Sequence, residues 1–450
     1  MTPTIASRAR QLTARIAPSH LLAAGWLFLF LYAFPGYMST DSIDQLQQAR
    51  SGVRTDWHPP LMAWLWGVLD RVVSGPVLML VLQLTLFFAG IYRLLGRLLP
   101  ARPAALATCA IALFPTVATT MAVIWKDSQM AAFLVAGAAA ALSSSRRWRI
   151  VGWVLLGAAA AMRHNAPAAI LPLAVFVVWQ TSARRRLARL ALGVAASLGL
   201  LVGATAVNHA LTVERQHPWY GSLALMDLAG TTRYAGYKTD AELQHLLRDT
   251  GLVSPHDLHA HIVRVYSPRT WWWLTHGADR IWEPPPGKRE RLAIRRAWLD
   301  LVRTEPVAYW KHRRRVFNEL LGLTRQPLWS PVYDKFAEAP EQAAGVSHNH
   351  AHSTFQRRVG GALHALSRTP LFRVYWYLAA AVVLLAVAAW RRHGLAVVVL
   401  TSGLGYQLTY FFLAPSPDFR YSHWMITCVV GTAVAAAAFA LHARRAGRAP

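Results

Sequence analysis

The chain contains ten long hydrophobic runs, and these constrain its fold more than any other feature of the sequence. Each run approaches the length needed to cross a bilayer, where a helix satisfies all of its own backbone groups. With 54% apolar residues in 450 and a mean hydropathy of +0.27, the composition excludes an ordinary soluble domain. We therefore predict an all-α polytopic membrane protein. Its ten spans are expected near residues 20–36, 76–95, 103–123, 128–142, 148–162, 166–180, 188–211, 372–390, 394–413 and 422–441.

Arginine clusters lie on alternate connections between these runs, and none of those connections contains an acidic residue. The group Arg146, Arg147 and Arg149 is one example. This pattern follows the positive-inside rule, which places basic residues in cytoplasmic loops. We expect a multi-pass protein of a bacterial inner membrane with cytoplasmic N- and C-termini. The same arginines supply much of the net charge of +26, so we expect no nucleic-acid partner.

Two boundaries divide the chain into three parts. Residues 1–211 form an N-terminal module with about seven spans, and residues 372–450 form a C-terminal module with about three. The topology places the more polar segment 212–371 outside the membrane, and its sequence predicts a mostly helical fold. One helix start is marked by a capping-box pattern from Thr239 to Glu242, directly before a leucine-rich stretch.

The first external connection, 37–75, is acidic for a segment beside a membrane. Asp41 and Asp44 are three positions apart, so a helix presents both carboxylates on one face, where desolvation and mutual repulsion raise the pKa of at least one. A carboxylate with a raised pKa suits general-base work. The structural alternative is helix capping, with Asp41 as the N-cap of a helix over 42–49 and Asp44 in its first turn.

Further polar residues fall at span ends on the same predicted face. Lys126 and Asp127 either belong to a site or pair with each other at the end of a span. A three-residue external loop holds Arg163, His164 and Asn165. An arginine on the external side runs against the topological bias, which favours a functional role for this loop.

The last external connection holds Asp418, Arg420 and Tyr421. These residues form either a local ion pair or part of a binding site, since the guanidinium group is a fork-shaped donor that fits phosphate. Ionisable residues at span ends are costly and commonly line a site or a water-filled cavity. We therefore expect the external connections to share one cavity.

Two features of segment 212–371 have competing interpretations. Trp271, Trp272 and Trp273 favour an anchor at the membrane interface over a platform for sugar stacking. The basic run 311–315 fits either anionic lipid headgroups or a solvated helix face.

Five short motifs follow one another along the first 170 residues. They are Pro35-Gly36-Tyr37, Asp41-Ser42, Asp56-Trp57-His58-Pro59, Trp125-Lys126-Asp127 and Arg163-His164-Asn165. In this order they resemble a bacterial group of uncharacterised membrane proteins within the GT-C superfamily of polytopic glycosyltransferases. The remainder of the chain matches that group only in layout.

The resemblance implies a GT-C-like helical bundle that transfers a sugar from a polyprenyl-phosphate-linked donor. The acceptor is an envelope glycan, a lipid or a protein at the outer leaflet, where the protein also contacts membrane lipids. Asp41 is the implied base, with Asp44 as the alternative. The cations that stabilise the leaving phosphate are Lys126, Arg163, His164 and Arg420. The remaining candidate substrate-binding residues are Trp57, His58, Asp127, Asn165 and Tyr421. The superfamily includes metal-dependent and metal-independent enzymes, so Mg or Mn stays open as a cofactor.

Three other functions remain open. A polysaccharide polymerase or ligase that acts on lipid-linked glycans would place its chemistry in the basic run 311–315. A transporter or flippase for a lipid-linked precursor would hold ionisable residues at mid-membrane depth and show repeated halves. A non-catalytic GT-C scaffold is the third alternative.

Overall fold

The computed structural model describes residues 17–235, 239–253, 257–283, 286–324, 330–335 and 352–445. Over these ranges about 75% of the residues are helical, in nineteen α-helices and a few short 3-10 or π turns, and no β-strand is present. The predicted all-α class is therefore confirmed.

The first half of the chain folds into ten of these helices. They are α1 (Pro18–Ala33), α2 (Thr40–Ser51), α3 (Leu61–Asp70), α4 (Val77–Leu95), α5 (Ala101–Ala112), α6 (Pro115–Met121), α7 (Lys126–Ala141), α8 (Arg146–Met162), α9 (Ala166–Thr181) and α10 (Arg186–Leu211).

Segment 212–371 adds six helices, and the C-terminal module adds three. The six are α11 (Ala224–Ala235), α12 (Asp240–Leu246), α13 (Leu258–Val265), α14 (Lys288–Thr304), α15 (Pro306–Leu320) and α16 (Thr354–Ser367). The last three are α17 (Val374–Trp390), α18 (Gly394–Leu413) and α19 (His423–Arg445). Helix α12 begins at the predicted capping pattern, where the Glu242 N–H donates to the Thr239 hydroxyl at 3.4 Å.

Helices long and apolar enough to span a membrane are present, but fewer reach that length than the sequence predicts. Among the described residues, four helices are long and apolar enough to cross a bilayer: α4, α10, α18, and α19 together with the turn before it. A bent pair, α5 with α6, makes a fifth. Helices α1, α9 and α17 are apolar but have only 16, 16 and 17 residues, below the roughly 20 that a perpendicular span needs. The finer count of ten stays a prediction.

The predicted span at 103–123 is broken rather than continuous. Helices α5 and α6 meet at an angle of 73°. Pro115 is the first residue of α6, and Phe114 before it has extended backbone angles (φ −60°, ψ 129°). A proline disfavours the helical conformation of the residue that precedes it and lacks an N–H of its own, so the break follows from the Phe114-Pro115 sequence.

Helix α7 lies at the centre of the bundle between α4 and α8. Every residue from Asp127 to Ala141 is buried, and most are alanine or glycine. A Cβ atom placed on Gly152 of α8 would lie 2.1 Å from the backbone nitrogen of Ala141, and one on Gly90 of α4 would lie 2.6 Å from that of Ala136. Small residues thus let three helix backbones approach closely, as is common in membrane bundles.

A buried polar network joins segment 212–371 to the bundle. Asp227 of α11 accepts a hydrogen bond from Trp298 Nε1 at 2.8 Å and contacts His312 Nε2 at 3.1 Å and Arg313 Nη2 at 2.5 Å. Arg313 also donates to the Ala414 carbonyl, at 3.0 Å, beyond the end of α18. The interpretations of the basic run as lipid-facing or solvated therefore do not hold for His312 and Arg313, which are fully buried.

The close approach of α7 and α8 makes Gly152→Ala a sharp test of this packing. The added methyl has no free volume, so we expect a loss of about 1–3 kcal/mol in the free energy of unfolding, measured by thermal or denaturant unfolding in detergent. Gly199→Ala on α10 is the matched control, because a Cβ there meets nothing within 4 Å. That variant should be neutral or slightly stabilising. Equal losses of unfolding free energy in Gly152→Ala and Gly199→Ala would contradict the close packing of α7 against α8.

The network around Asp227 predicts a second stability effect. Asp227→Asn leaves the Arg313 guanidinium buried without its carboxylate, which should cost about 3–5 kcal/mol in unfolding free energy. Adding Arg313→Met removes the uncompensated charge and should recover much of that loss. A double variant no more stable than Asp227→Asn alone would show that the ion pair is not the source of the effect.

Candidate functional site

Asp41 lies at the start of α2, in the connection between α1 and α3. The helix begins at Ser39, whose backbone N–H donates to Ser42 Oγ at 3.2 Å, and ends at Gly52, which has a positive φ of 76°. The N-cap is therefore Ser39, and the alternative that Asp41 caps this helix is wrong. Asp41 occupies the first turn, and its carboxylate is directed away from its own helix.

Arg420 is the main partner of Asp41. Its Nη2 lies 2.7 Å from Asp41 Oδ2, and the Asp41 side chain remains 30% exposed. Asp418 holds the same guanidinium from the other side, with its Oδ2 2.9 Å from Nε. The guanidinium also lies over the Trp125 ring, 4.8 Å from the centroid. Nη1 is buried and has no hydrogen-bond partner in the part of the chain that the structure describes.

His58 connects Asp41 to Lys126. Its Nε2 lies 3.7 Å from Asp41 Oδ1, and its Nδ1 forms a hydrogen bond with the Lys126 amine. An ammonium group only donates, so His58 Nδ1 accepts from it and the ring proton is on Nε2, facing the carboxylate. Burial, and after it the nearby Lys126 charge, holds the pKa of His58 well below its ordinary value, so this ring is neutral near pH 7.

Lys126 is the first residue of α7 and precedes the predicted span at 128–142. Removal from water lowers the pKa of Lys126 to about 7, and the Asp41 carboxylate works in the opposite direction. Lys126 does not pair with Asp127, which corrects the alternative that the two neighbours form a local pair at the span end.

Asp127 pairs instead with Arg163, at 2.9 Å. Arg163 also donates to the Tyr410 hydroxyl and lies over the Tyr421 ring, 4.9 Å from its centroid. Tyr410 and Tyr421 stack with their ring planes 2° apart at 4.9 Å. Asn165 donates to Thr409 Oγ1 at 2.9 Å. These contacts connect the α8–α9 turn to α7 and α18, directly behind Arg420.

Other predicted site residues lie further from this centre. Asp44 is half-buried and accepts a hydrogen bond from Gln48 at 2.7 Å. Removal from water raises the pKa of Asp44; the Gln48 hydrogen bond opposes this rise and the Asp41 charge adds to it. His164 is exposed, and Trp57 packs against Trp271 with ring centroids 5.3 Å apart.

Sequence reasoning assigned no role to three supporting residues. The Trp125 ring lies under the Arg420 guanidinium, and its indole N–H donates to Ser39 Oγ at 2.7 Å. Its position directly before Lys126 is the sequence feature that points to a role in the site. Tyr333 donates from its hydroxyl to the Met38 carbonyl at 3.1 Å. Tyr410 lies inside an apolar span, and no local pattern distinguishes it.

The described residues contain no group of three or more His, Cys, Asp or Glu side chains that could hold a metal ion. Both carboxylate oxygens of Asp41 already have a neighbour, since one faces the Arg420 guanidinium and the other the His58 imidazole. The described residues therefore supply no complete protein ligand set for Mg or Mn, and metal dependence stays an open prediction.

Comparisons with family models, with curated proteins and with solved structures found no match to this chain.

The titration of Lys126 can be observed directly, because the chain has only five lysines. With lysine labelled by ¹³C at Cε, we expect one resonance of the folded protein to titrate near pH 7 and to disappear in Lys126→Arg. Asp41→Asn should lower this pKa further, since it removes the carboxylate that favours the charged form. A Lys126 resonance that titrates near 10.5 would contradict the described environment.

The lowered pKa of Lys126 also determines how the stability of the protein changes with pH. Between about pH 7 and the ordinary lysine pKa of 10.5, the folded state binds fewer protons than the unfolded state. Stability should therefore rise with pH in this window, by at most about 1.4 kcal/mol per pH unit. Lys126→Met should remove that rise.

Proposed function

We propose that this protein transfers a sugar from a polyprenyl-phosphate-linked donor to an acceptor at the external face of a bacterial inner membrane. The observation that carries the proposal is the pairing of a partly exposed carboxylate, Asp41, with the guanidinium of Arg420 at one end of an apolar bundle. A base for the acceptor and a cation for the leaving phosphate then stand side by side, beside helices that can accommodate a lipid-linked substrate.

The proposed step moves one proton and exchanges one bond. The acceptor hydroxyl gives its proton to Asp41 as its oxygen attacks the anomeric carbon. The bond between that carbon and the phosphate oxygen breaks, through a transition state with oxocarbenium character. The electron pair leaves with the polyprenyl phosphate, and Arg420 and Lys126 stabilise its charge.

Asp41 needs a change of partner before it can act as a base. Partial removal from water opposes its ionisation, but the Arg420 guanidinium, with the His58 imidazole and the Lys126 side chain nearby, outweighs this and holds the pKa of Asp41 below its ordinary value. A carboxylate with a low pKa is a weak base. Donor phosphate that binds Arg420 would share the guanidinium charge and so raise the basicity of Asp41. Arg420 Nη1 has no hydrogen-bond partner among the described residues, but it is buried, so the donor phosphate must open a path to it to make this contact.

Lys126 and Arg163 have different proposed roles. Lys126 reaches the site through His58 and adds a second cation for phosphate while it is protonated. Arg163 is occupied by Asp127 and Tyr410. We assign it the role of holding the loop that carries Arg420.

Asp44 is the alternative base. Its raised pKa makes it the more basic of the two carboxylates, and it has no cation directly bound among the described residues. It stands one helical turn from Asp41, so a different acceptor position would favour it. Separate substitutions distinguish the two.

The other functions receive less support. A polymerase or ligase centred on the basic run would need accessible side chains, yet His312 and Arg313 are buried around Asp227. A transporter would hold ionisable groups along a path through the membrane. Here the described site residues lie at helix ends, with Asp41 in a first turn and Lys126 starting α7.

The test is complementation of a deletion strain. Asp41→Asn should lower transfer about a hundredfold or more, because it removes the base while keeping the shape of the side chain. Surface polysaccharide and lipid-linked sugars, compared by mass spectrometry, should show lost product and accumulated donor. Asp300→Asn is the matched control, since Asp300 is exposed on α14, and it should restore the parental pattern.

Asp44→Asn completes the set. If it alone removes the product, the base is Asp44 rather than Asp41. If both Asp41→Asn and Asp44→Asn restore the parental glycans while the deletion changes them, the proposed general-base transfer is wrong.

A further inference from the structure

Aromatic side chains extend from the candidate site across segment 212–371. Trp57 directly precedes His58 and packs against Trp271, with ring centroids 5.3 Å apart. Trp271 contacts Trp272 at 5.7 Å, and Trp272 stacks on the His276 ring at 3.4 Å with planes 7° apart. We call these four rings, Trp57, Trp271, Trp272 and His276, the aromatic row.

The far end of the row is held in a fixed orientation. Residues Trp272–Leu274 form a short 3-10 turn whose last residue is buried. The carbonyl of Leu274 accepts hydrogen bonds from the backbone of Ile281 and Trp282, and the His276 N–H donates to the Trp272 carbonyl at 3.0 Å. Trp272 is nevertheless 46% exposed. The Trp272 ring is therefore fixed by its neighbours and still partly accessible to solvent.

The near end of the row is attached to the loop that carries Arg420. Ser416 Oγ lies 3.3 Å from Thr270 Oγ1, the hydroxyl next to Trp271 in the chain. Asp418, two residues after Ser416, contacts Arg420. The row thus begins at the two connections that form the site and continues away from it.

We infer that the aromatic row binds a glycan, so that the acceptor is an oligosaccharide whose reactive end lies at Asp41. The C–H face of a pyranose ring carries partial positive charge and complements the negative face of an indole ring. Successive aromatic rings, in contact with one another and leading to one carboxylate, fit successive sugar units. This inference rests on the proposed function for the direction of transfer, but binding itself does not.

The row fits a membrane anchor less well. Trp271 is half-buried against Trp57 rather than turned outward. Beyond His276 the chain continues with the exposed residues Gly277 to Asp279, which include a carboxylate and no large apolar side chain. Trp273 differs from its neighbour Trp272: it is 51% exposed and makes no ring contact in the described part of the chain. A lipid anchor would use both side chains, whereas a glycan on the row would use only Trp272.

The experiment compares these two neighbouring tryptophans. Full-length protein in lipid nanodiscs is applied to an array of soluble oligosaccharides of two to six sugar units, and affinity for retained members is measured by calorimetry. Trp272→Ala should weaken binding about tenfold, as expected when one stacking face is lost. Trp273→Ala should bind as the wild type does.

Three results would overturn the inference. They are retention of no oligosaccharide by the wild type, equal binding in the two variants, or equal loss of thermal stability in nanodiscs by both variants, which would identify an anchor.

Repeating the binding measurement with Asp41→Asn separates this inference from the proposed function. In this background Trp272→Ala should still weaken binding about tenfold relative to Trp273→Ala, because stacking on the row needs no base. If oligosaccharide binding depends on Trp272 but the envelope glycans do not depend on Asp41 or Asp44, the aromatic row is a glycan site and the proposed transfer is wrong. If transfer depends on Asp41 but the protein retains no oligosaccharide, the proposed function stands and the inferred glycan binding by the aromatic row is wrong.

Discussion

The ion pair between Asp41 and Arg420 organises the rest of the site. It joins residues 379 positions apart, one in the first turn of α2 and one directly before α19. Asp418 and the Trp125 ring fix the guanidinium, and His58 approaches the carboxylate from the side of Lys126. A charge pair at the edge of an apolar bundle interacts more strongly than one in bulk water, because fewer water molecules screen it.

The apolar interior and the charged end of the bundle depend on each other. Helix α7 shows this most directly, since it is buried and rich in alanine after Asp127, while Lys126 at its start belongs to the site. Close backbone packing against α4 and α8 leaves little room for movement along this helix. The position of Lys126 at the start of this helix therefore depends on glycine and alanine contacts that lie far from the candidate site.

Much of the helical framework could be predicted from hydrophobic runs and local capping patterns, but the site contacts could not. The break at Phe114-Pro115 lies within a continuous apolar run, where the proline is the local signal for it. The partner of Asp127 is Arg163, which is 36 residues away, and Arg163 in turn bonds Tyr410, which is 247 residues away. Sequence spacing identifies residues that share a helix face, whereas pairs between distant helices depend on how the bundle packs.

The sequence separation of Asp41 and Arg420 also affects biogenesis. Ribosomes synthesise a chain from its N-terminus, so Asp41 leaves the ribosome long before the residue that neutralises it. Until α18 and α19 are in place, the first connection carries a carboxylate without this partner, and the nascent protein has no assembled site. Under the proposed function, assembly of the site therefore depends on insertion of the last two helices, and we expect an incompletely inserted chain to be inactive.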